Sequence, residues 1–511
     1  MILRASVVSG VLVVAGTLFG LFRDLTIARY FGASGVTDAF LVAWTVPETA
    51  QPLLVQGAMT LIMIPAFSRA LTTERPTLAI QEVVDATFPR ILAALMLVSG
   101  LLVVLAPWLV DLLAPGLQYP DVAVRCFRIV AVTVLIIGVA GYLTAALRAS
   151  QVFGAPAAVS LAFNAGVVAL MVGFHDSLGV ESAAYGLVLG CILMVLVQVP
   201  NAVSRVPRPR SWSRSTTLVS MGTFIPVATY TLTRQAQVFV ERFFGSYLAP
   251  GTLSQLNYAQ KVGQMPTNIT LLIAIVTFPL LARASASGDQ AAVRARLSAD
   301  VRLILGLTLL GALFLLVVAP EVVQALLQRG EFTAQDTAAT AAILRLYVLG
   351  LAGQVLVDIF SRAFFSRSGP TWYPALAMTV GLVATAILSG VAVLVSSAPL
   401  IAAANAVGIS VCAILLLRGA GLQARERPLA RVARFTGQAG PPLGVAAAAA
   451  VLSVAWSATL HPAVRAVVVG TAMLFAFTAV VLVQWRFSPI GSILPRSRRG
   501  QESHLSINTG P

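Results

Sequence analysis

The sequence predicts an all-α polytopic membrane protein with about fourteen transmembrane helices. They form two six-helix lobes in parallel repeat, followed by two C-terminal helices. Of the 511 residues, 58% are hydrophobic and 10% are charged, whereas soluble globular chains are about 45–50% apolar and about 25% charged. Apolar stretches able to cross about 30 Å of hydrocarbon recur along the chain. Several short segments also recur at a constant sequence offset.

The apolar stretches define the expected spans in chain order. They are residues 5–22, 38–66, 88–113, 122–148, 152–174, 182–204, 218–244, 253–282, 300–327, 336–364, 371–396, 398–418, 437–459 and 464–486. The second, eighth and tenth are long and are interrupted by proline or by charge. The first is expected to be a retained helix, because no small-residue cleavage site with a soluble domain follows it.

Four segments of the first half recur in the second half at an offset of 213 or 214 residues. The pairs are 28–32 with 241–245, 65–70 with 279–284, 106–107 with 319–320, and Pro52 with Pro266. Six spans fit within one period, and an even number keeps both copies in the same orientation. The lobes are therefore expected to be related by an axis along the membrane normal, with substrate bound between them.

The repeat and the basic loops divide the chain into six parts. They are an N-terminal lobe at 1–204, a basic cytoplasmic linker at 205–217, a C-terminal lobe at 218–418, a second basic linker at 419–436, two extra helices at 437–486 and a tail at 487–511 expected to be disordered.

The net charge of +15 indicates basic cytoplasmic loops in a membrane chain rather than binding to nucleic acid. Arginines concentrate in the connections on one side, while those on the other side carry Asp111, Asp121 and Asp176. This asymmetry predicts that both termini are cytoplasmic.

Motifs for catalysis and for cofactor binding are missing from the sequence. Cys126, Cys191 and Cys412 lie far apart in apolar runs without metal-ligand spacing. The only lysine, Lys261, follows Gln260 and so cannot belong to a P-loop. We therefore expect no enzyme activity, no catalytic residue, no metal and no cofactor.

Ionisable side chains inside spans are costly in the bilayer, so each is a functional candidate. The set comprises Arg23, Asp24, Arg29, Asp38 and Glu48 in the first lobe, and Arg234, Glu241, Arg242 and Lys261 in the second. A purely structural interpretation pairs Arg23 with Asp24, Arg29 with Asp38, and Glu241 with Arg242. An Arg-rich cavity suits an anionic ligand such as a lipid-linked pyrophosphate, because guanidinium forks match phosphate oxygens.

Several blocks resemble the MurJ/MviN family of lipid II flippases, in the multidrug/oligosaccharidyl-lipid/polysaccharide exporter superfamily. In the first lobe they are Arg23-Asp24, residues 28–33, residues 37–40 and Pro47; in the second they are residues 257–261, Pro266, residues 330–333 and residues 364–367. The resemblance implies a central cationic cavity, a lipid groove formed with the two C-terminal helices, and export of lipid-linked peptidoglycan precursor across the bacterial cytoplasmic membrane.

The resemblance also assigns roles to residues. Of four family cavity arginines only Arg23 is retained; Lys261 replaces a second, Thr17 and Gln51 occupy the other two positions, and Gln56 replaces a glutamate. Arg23 and Lys261 are expected to bind pyrophosphate, with Arg234 as an added cation. The head group is expected to contact Glu48, Gln51 and Gln56. Asp24, Arg29 and Asp38 are expected to form a gating network.

Three alternatives stay open at this point. The substrate could be another polyprenyl-pyrophosphate-linked glycan, the protein could be a drug/cation antiporter of the same superfamily, or it could be a non-transporting cell-wall scaffold. Expected partners are lipid II or a related glycolipid and membrane lipids, with cell-wall synthesis proteins left open.

Overall fold

The computed structural model describes residues 2–210, 221–268, 290–365, 371–424, 428–457 and 459–487. The fold is 87% helical, and no strand occurs among these residues. The predicted all-α membrane fold is therefore confirmed.

The first half is a run of helices broken at a few points. Its helices are α1 (Ile2–Phe31), α2 (Gly35–Ala50), a π-helix (Gln51–Met63), α3 (Ile64–Leu71), α4 (Pro76–Val104), α5 (Ala106–Leu113), α6 (Pro120–Ala131), α7 (Thr133–Ala149), α8 (Gly154–Leu178), α9 (Glu181–Leu196) and α10 (Val199–Ala202).

The second half follows the same plan and adds two helices. Its helices are α11 (Met221–Gly245), α12 (Thr252–Gly263), α13 (Gln290–Leu327), α14 (Ala334–Tyr347), a 3₁₀ turn (Val348–Gly350), α15 (Leu351–Phe365), α16 (Tyr373–Leu394), α17 (Ala398–Ala424), α18 (Pro428–Trp456) and α19 (Pro462–Phe487).

Eleven helical segments among the described residues are long and apolar enough to cross a membrane. They correspond to all but three of the expected spans, the second, seventh and eighth. Those three spans contain α2, α11 and α12, which carry Glu48, Arg242 and Lys261. The total of fourteen spans stays a prediction.

Helix ends differ from the expected boundaries at two places. The first helix does not end at residue 22 but continues to Phe31, because Arg23 and Asp24 satisfy each other and do not break it. The expected linker at 419–436 is helical where described, since α17 extends to Ala424 and α18 begins at Pro428. Residues 211–217 of the first linker and 488–511 of the tail lie outside the described residues.

The helix breaks repeat along with the sequence motifs. Helix α5 begins at Ala106, after Leu105 leaves helical backbone. In helix α13, Val318 has non-helical backbone angles (φ −105°, ψ 26°). Val318 lies 213 residues after Leu105 and directly before Ala319-Pro320. A proline lacks the backbone N–H of a continuous helix, so the same motif produces a break in both halves.

Contacts between helices define where the two halves meet. In the first half α8 packs on α1 and α9, and α7 packs on the π-helix. In the second, α16 packs on α11 and α17, while α19 packs on α13 and α18. The halves meet where α2 and the π-helix contact α11, and where α2 contacts α12. Polar residues of these helices, among them Glu48, Arg242 and Lys261, therefore lie at the interface between the lobes.

Candidate substrate site between the lobes

Pro52 interrupts the regular helix at the C-terminal end of α2. Pro52 has no N–H to donate to the carbonyl of Glu48 one turn earlier, and the π-helix begins at Gln51. The Glu48 carbonyl accepts a hydrogen bond of 2.9 Å from Nε2 of Gln235 on α11. π-Helical turns are frequent at functional sites, and this one ties the backbone of one lobe to a side chain of the other.

The carboxylate of Glu48 meets two cations from the facing lobe. Its Oε2 lies 2.7 Å from Nη2 of Arg242, and its Oε1 lies 3.3 Å from Nζ of Lys261. The side chains of Arg242, Glu48 and Lys261 are 6%, 16% and 27% exposed, respectively. We call these three residues the interlobe triad; its formal charge is one positive unit.

Arg242 and Glu241 do not pair with each other as the structural interpretation expected. Arg242 donates to Glu48 and to Oγ1 of Thr45, both on α2. Glu241 accepts from Nδ2 of Asn405 on α17, and the hydroxyl of Tyr347 lies 3.5 Å away. Neighbouring residues of a helix point in different directions, so each contacts a different helix. Asn405 was missed, although it is the only amide in its expected span.

Arg23 lies in a buried network of the first lobe. Its Nη2 donates to Oδ1 of Asp24 over 2.6 Å, and its Nη1 donates to Oδ1 of Asn164 over 2.9 Å. The guanidinium carbon is 4.3 Å from the ring centroid of Trp44, a cation–π distance. Since Trp44 precedes Glu48 by one turn of α2, Arg23 and the interlobe triad contact the same face of that helix.

Arg234 lies elsewhere in the second lobe. It donates to Asp358 on α15, and its Nη1 lies 3.4 Å from the hydroxyl of Tyr230. The side chains of Arg234 and Asp358 are 30% and 38% exposed. Asp358 was not singled out from the sequence. Arg234 is therefore a neutralised cation whose direct partners lie outside the interlobe triad.

Asp38 closes one end of the interface between the lobes. The N–H groups of Gly251 and Ser254 each donate to its carboxylate over 2.7 Å, and the hydroxyl of Ser254 also donates. These donors belong to the first turn of α12, where a carboxylate is favoured by the helix dipole and caps free N–H groups. The expected partner Arg29 is instead exposed, and its carbonyl accepts from the N–H of Glu331 at 2.9 Å.

Glycines allow the backbones of the two lobes to touch at this end. Gly251 has φ +90°, and a Cβ there would lie 2.3 Å from the carbonyl oxygen of Ala33. Gly330 has φ +63°, and a Cβ would lie 2.2 Å from the carbonyl oxygen of Arg29. Residues 31–38, 114–119, 246–254 and 328–333 meet here; we call this region the closed end.

The remaining sequence candidates are less informative. Gln51 is half-buried at the start of the π-helix, and its N–H bonds to the carbonyl of Pro47. The side chain of Gln56 lies outside the described residues. Asp24 is buried as the partner of Arg23. Of the predicted binding residues, the structure brings Glu48 and Lys261 into direct contact and adds Arg242.

An apolar cavity of about 400 Å³ lies beside the second lobe. It is lined by side chains of α13, the 3₁₀ turn, α15 and α18, including Leu313, Leu316, Leu349 and Leu443. A partly buried ion pair joins one of the C-terminal helices to the second lobe, with Arg465 of α19 at 3.2 Å from Glu321 of α13. The pair therefore holds α19 against the second lobe, and neither residue lines the cavity.

The sequence matches one known family over most of its length. The family model described as "Lipid II flippase MurJ" matches residues 27–478. The lipid II flippase MurJ of Burkholderia cenocepacia is 27% identical over 423 residues, which cover 80% of this chain and 81% of that protein. The probable lipid II flippase MurJ of Rhizobium meliloti is 29% identical over 370 residues, covering 68% of each.

Solved structures give the same fold. A lipid II flippase MurJ in an inward closed conformation superposes with a TM-score of 0.73 at 18% identity, covering 94% of this chain and 100% of that one. An inward-facing multidrug resistance transporter of the MATE family superposes with a TM-score of 0.63 at 13% identity, covering 84% and 99%. At such identities the likeness establishes the arrangement of helices.

Proposed function

Because the chain belongs to the MurJ family of lipid II flippases, we propose that it moves lipid II from the inner to the outer leaflet of the cytoplasmic membrane by alternating access. The observation that carries the proposal is the interlobe triad, in which two cations of one lobe face one carboxylate of the other. Such a site offers positive charge to the pyrophosphate at the point where the lobes must separate.

The depth of the triad suits a transported head group. Glu48 follows Asp38 by ten residues on α2, which corresponds to about 15 Å along a helix. The hydrocarbon core of a bilayer is about 30 Å thick. With Asp38 near one membrane surface, the triad lies near the midplane, where transporters built from repeats bind their substrates.

The polar candidates divide into two levels with different roles. Asp38 and its α12 donors close one end, and this end opens when the lobes rotate apart. Lys261 contacts the pyrophosphate, while Arg23, held over Trp44 by its ion pair with Asp24 and by Asn164, lies against the same face of α2 and contacts the head group from the first lobe. Gln51 and Gln56 lie on the π-helix that follows α2, and their amides suit a sugar head group.

The apolar cavity beside α13 and α18 suits the lipid tail. Its lining is aliphatic, so a polyprenyl chain could remain in a hydrocarbon environment while its head group crosses. The charged head group then crosses between the lobes and not through the lipid, where each polar group without a hydrogen-bond partner has a high free-energy cost.

The orientation follows from the basic loops. With both termini in the cytoplasm, the closed end faces the outer leaflet. Lipid II synthesised at the inner leaflet would therefore enter before the Asp38 contacts are broken.

A second substrate class is favoured by one feature of the site. Lys261 is a point charge where the resembling family has a bidentate arginine, and Gln51 is neutral where that family is cationic. A polyprenyl-pyrophosphate-linked glycan with a different sugar head group uses the same pyrophosphate chemistry and is the alternative substrate.

Rescue of bacteria depleted of their own lipid II flippase tests the proposal. We expect the wild-type chain to restore growth, Lys261→Arg to restore it in part, and Lys261→Ala to fail, because the alanine removes the exposed cation of the triad. Arg205→Ala is the matched control, since this arginine is exposed and outside the site. Failure of well-expressed wild type would refute lipid II as the substrate; rescue by Lys261→Ala would remove Lys261 from the site.

A further inference from the structure

The closed arrangement of the interlobe triad hides the cations that the proposed substrate needs. Glu48 is held from the facing lobe at three points, by Gln235 at its carbonyl and by Arg242 and Lys261 at its carboxylate. Both cations belong to the second lobe, while the only anion of the triad belongs to the first. While these pairs exist, neither cation can offer its full charge to a ligand.

The charges of the triad match a pyrophosphate if Glu48 leaves. A pyrophosphate diester carries one ionised oxygen on each phosphorus, and Arg242 with Lys261 supplies two positive charges. Arg242 is bonded through separate Nη atoms to Thr45 and Glu48, so its planar fork is already spread between two oxygen acceptors. This is the geometry that guanidinium groups present to phosphate oxygens.

The backbone around Glu48 is built to release it. Pro52 prevents the helical hydrogen bond to the Glu48 carbonyl, and the chain continues as a π-helix from Gln51. Glu48 is therefore at the last turn of regular helix before an irregular one, where a small rotation moves its carboxylate without breaking a continuous helix. The bond from Gln235 replaces the missing helical bond only while the lobes are together.

We propose that Glu48 is an exchangeable counter-ion that occupies the anion site formed by Arg242 and Lys261, and that the substrate pyrophosphate displaces it. Arg242 is then a substrate-binding residue that becomes available only when Glu48 leaves. Displacement removes the ion pairs that join α2 to α11 and α12, so binding of the substrate weakens the contact between the lobes. The inference rests on the proposed function, because it assumes a pyrophosphate-bearing lipid as the ligand.

Binding to the purified full-length protein in detergent tests this inference. The probes are lipid II, undecaprenyl pyrophosphate and undecaprenol, which lacks the pyrophosphate. We expect Glu48→Gln to bind lipid II roughly five- to tenfold more tightly than wild type, as for removal of one partly buried ion pair that competes with the ligand. The gain should be absent with undecaprenol and should be lost in Glu48→Gln combined with Arg242→Gln.

The chain offers a matched control in Glu321→Gln. Glu321 is 14% exposed and is also paired with an arginine, but it lies on α13 and its partner Arg465 is on the C-terminal helix α19. This control should leave the affinity for lipid II unchanged. Thermal unfolding identifies variants that are not folded. If Glu48→Gln is among them, Glu48→Asp is used; its shorter side chain cannot reach both cations at once, so it should give a smaller gain in affinity.

Each result has a defined meaning. Affinity that is unchanged or weaker in a folded Glu48 variant overturns the counter-ion role. A gain that persists without Arg242 overturns its assignment as a ligand. If wild type ignores lipid II but binds undecaprenyl pyrophosphate, with the same gain in Glu48→Gln, the proposed substrate fails and the counter-ion inference stands. If wild type and Glu48→Gln bind neither lipid, both are refuted.

Discussion

The closed end provides the sharpest test of how the lobes separate. Asp38 of the first lobe caps the first turn of α12 in the second, accepting from the N–H groups of Gly251 and Ser254 and from the Ser254 hydroxyl. Replacing Asp38 with alanine removes the acceptor but leaves the donors in place. While the lobes stay together, these N–H groups are then buried without partners; when the lobes part, water satisfies them.

The magnitude follows from the number of donors left without an acceptor. An unsatisfied buried donor costs about 1–3 kcal/mol, so the two backbone N–H groups together are worth about 2–6 kcal/mol. The variant loses this stabilisation in the closed arrangement and not in the open one. Because about 1.4 kcal/mol is a factor of ten, the ratio of closed to open molecules should fall by roughly 30- to 20,000-fold.

Distances between spin labels across the closed end measure this ratio. Tyr119 and Tyr247 are exposed on opposite lobes and accept introduced cysteines, while Cys126, Cys191 and Cys412 are buried. Asp38→Ala should add a population with a longer distance. Asp336→Asn is the control, because Asp336 caps α14 through Thr333 within one lobe. An unchanged distribution, or an equal change in the control, would refute the role of Asp38 as a contact between lobes.

Two further variants test other parts of the structure. Gly251→Ala should open the closed end and should lower the melting temperature in detergent more than Gly179→Ala does. Both glycines have positive φ, but only at Gly251 would the added Cβ meet the opposite lobe. Equal effects of the two substitutions would show that backbone strain alone is responsible. Arg465→Gln should destabilise the fold by about 1–3 kcal/mol because it leaves Glu321 buried without its cation. Combining it with Glu321→Gln should restore part of this loss of stability. If the losses of the two single variants simply add in the double variant, the two residues do not pair directly.

The sequence identified several charged residues of the candidate site, but it did not identify which of them pair with each other. The sequence singled out Glu48 and Lys261 because charges inside apolar spans are costly, and the structure joins them at 3.3 Å. It suggested Arg29 with Asp38 and Glu241 with Arg242, because these residues are near in sequence. Both pairs were wrong, since Asp38 and Arg242 find their partners about 200 residues away, on the facing lobe.

The residues of the site that were recognised only from the structure share one property. Asn164, Asn405 and Tyr347 are uncharged polar side chains on apolar helices. Such residues also occur at many positions where they serve only packing. A buried amide becomes informative only when its acceptor or donor is known, and that partner is supplied by another helix.

The sequence by itself determined the membrane class, the repeated motifs and the prolines near which several helices break. Hydrophobicity and the loss of an N–H at proline are properties of neighbouring residues, so they act before any tertiary contact forms. Only the tertiary structure decided which charges neutralise each other, because an ion pair requires side chains to lie within a few ångströms in space. The same lobe packing brought Glu48 between Arg242 and Lys261 and placed the carboxylate of Asp38 at the first turn of α12.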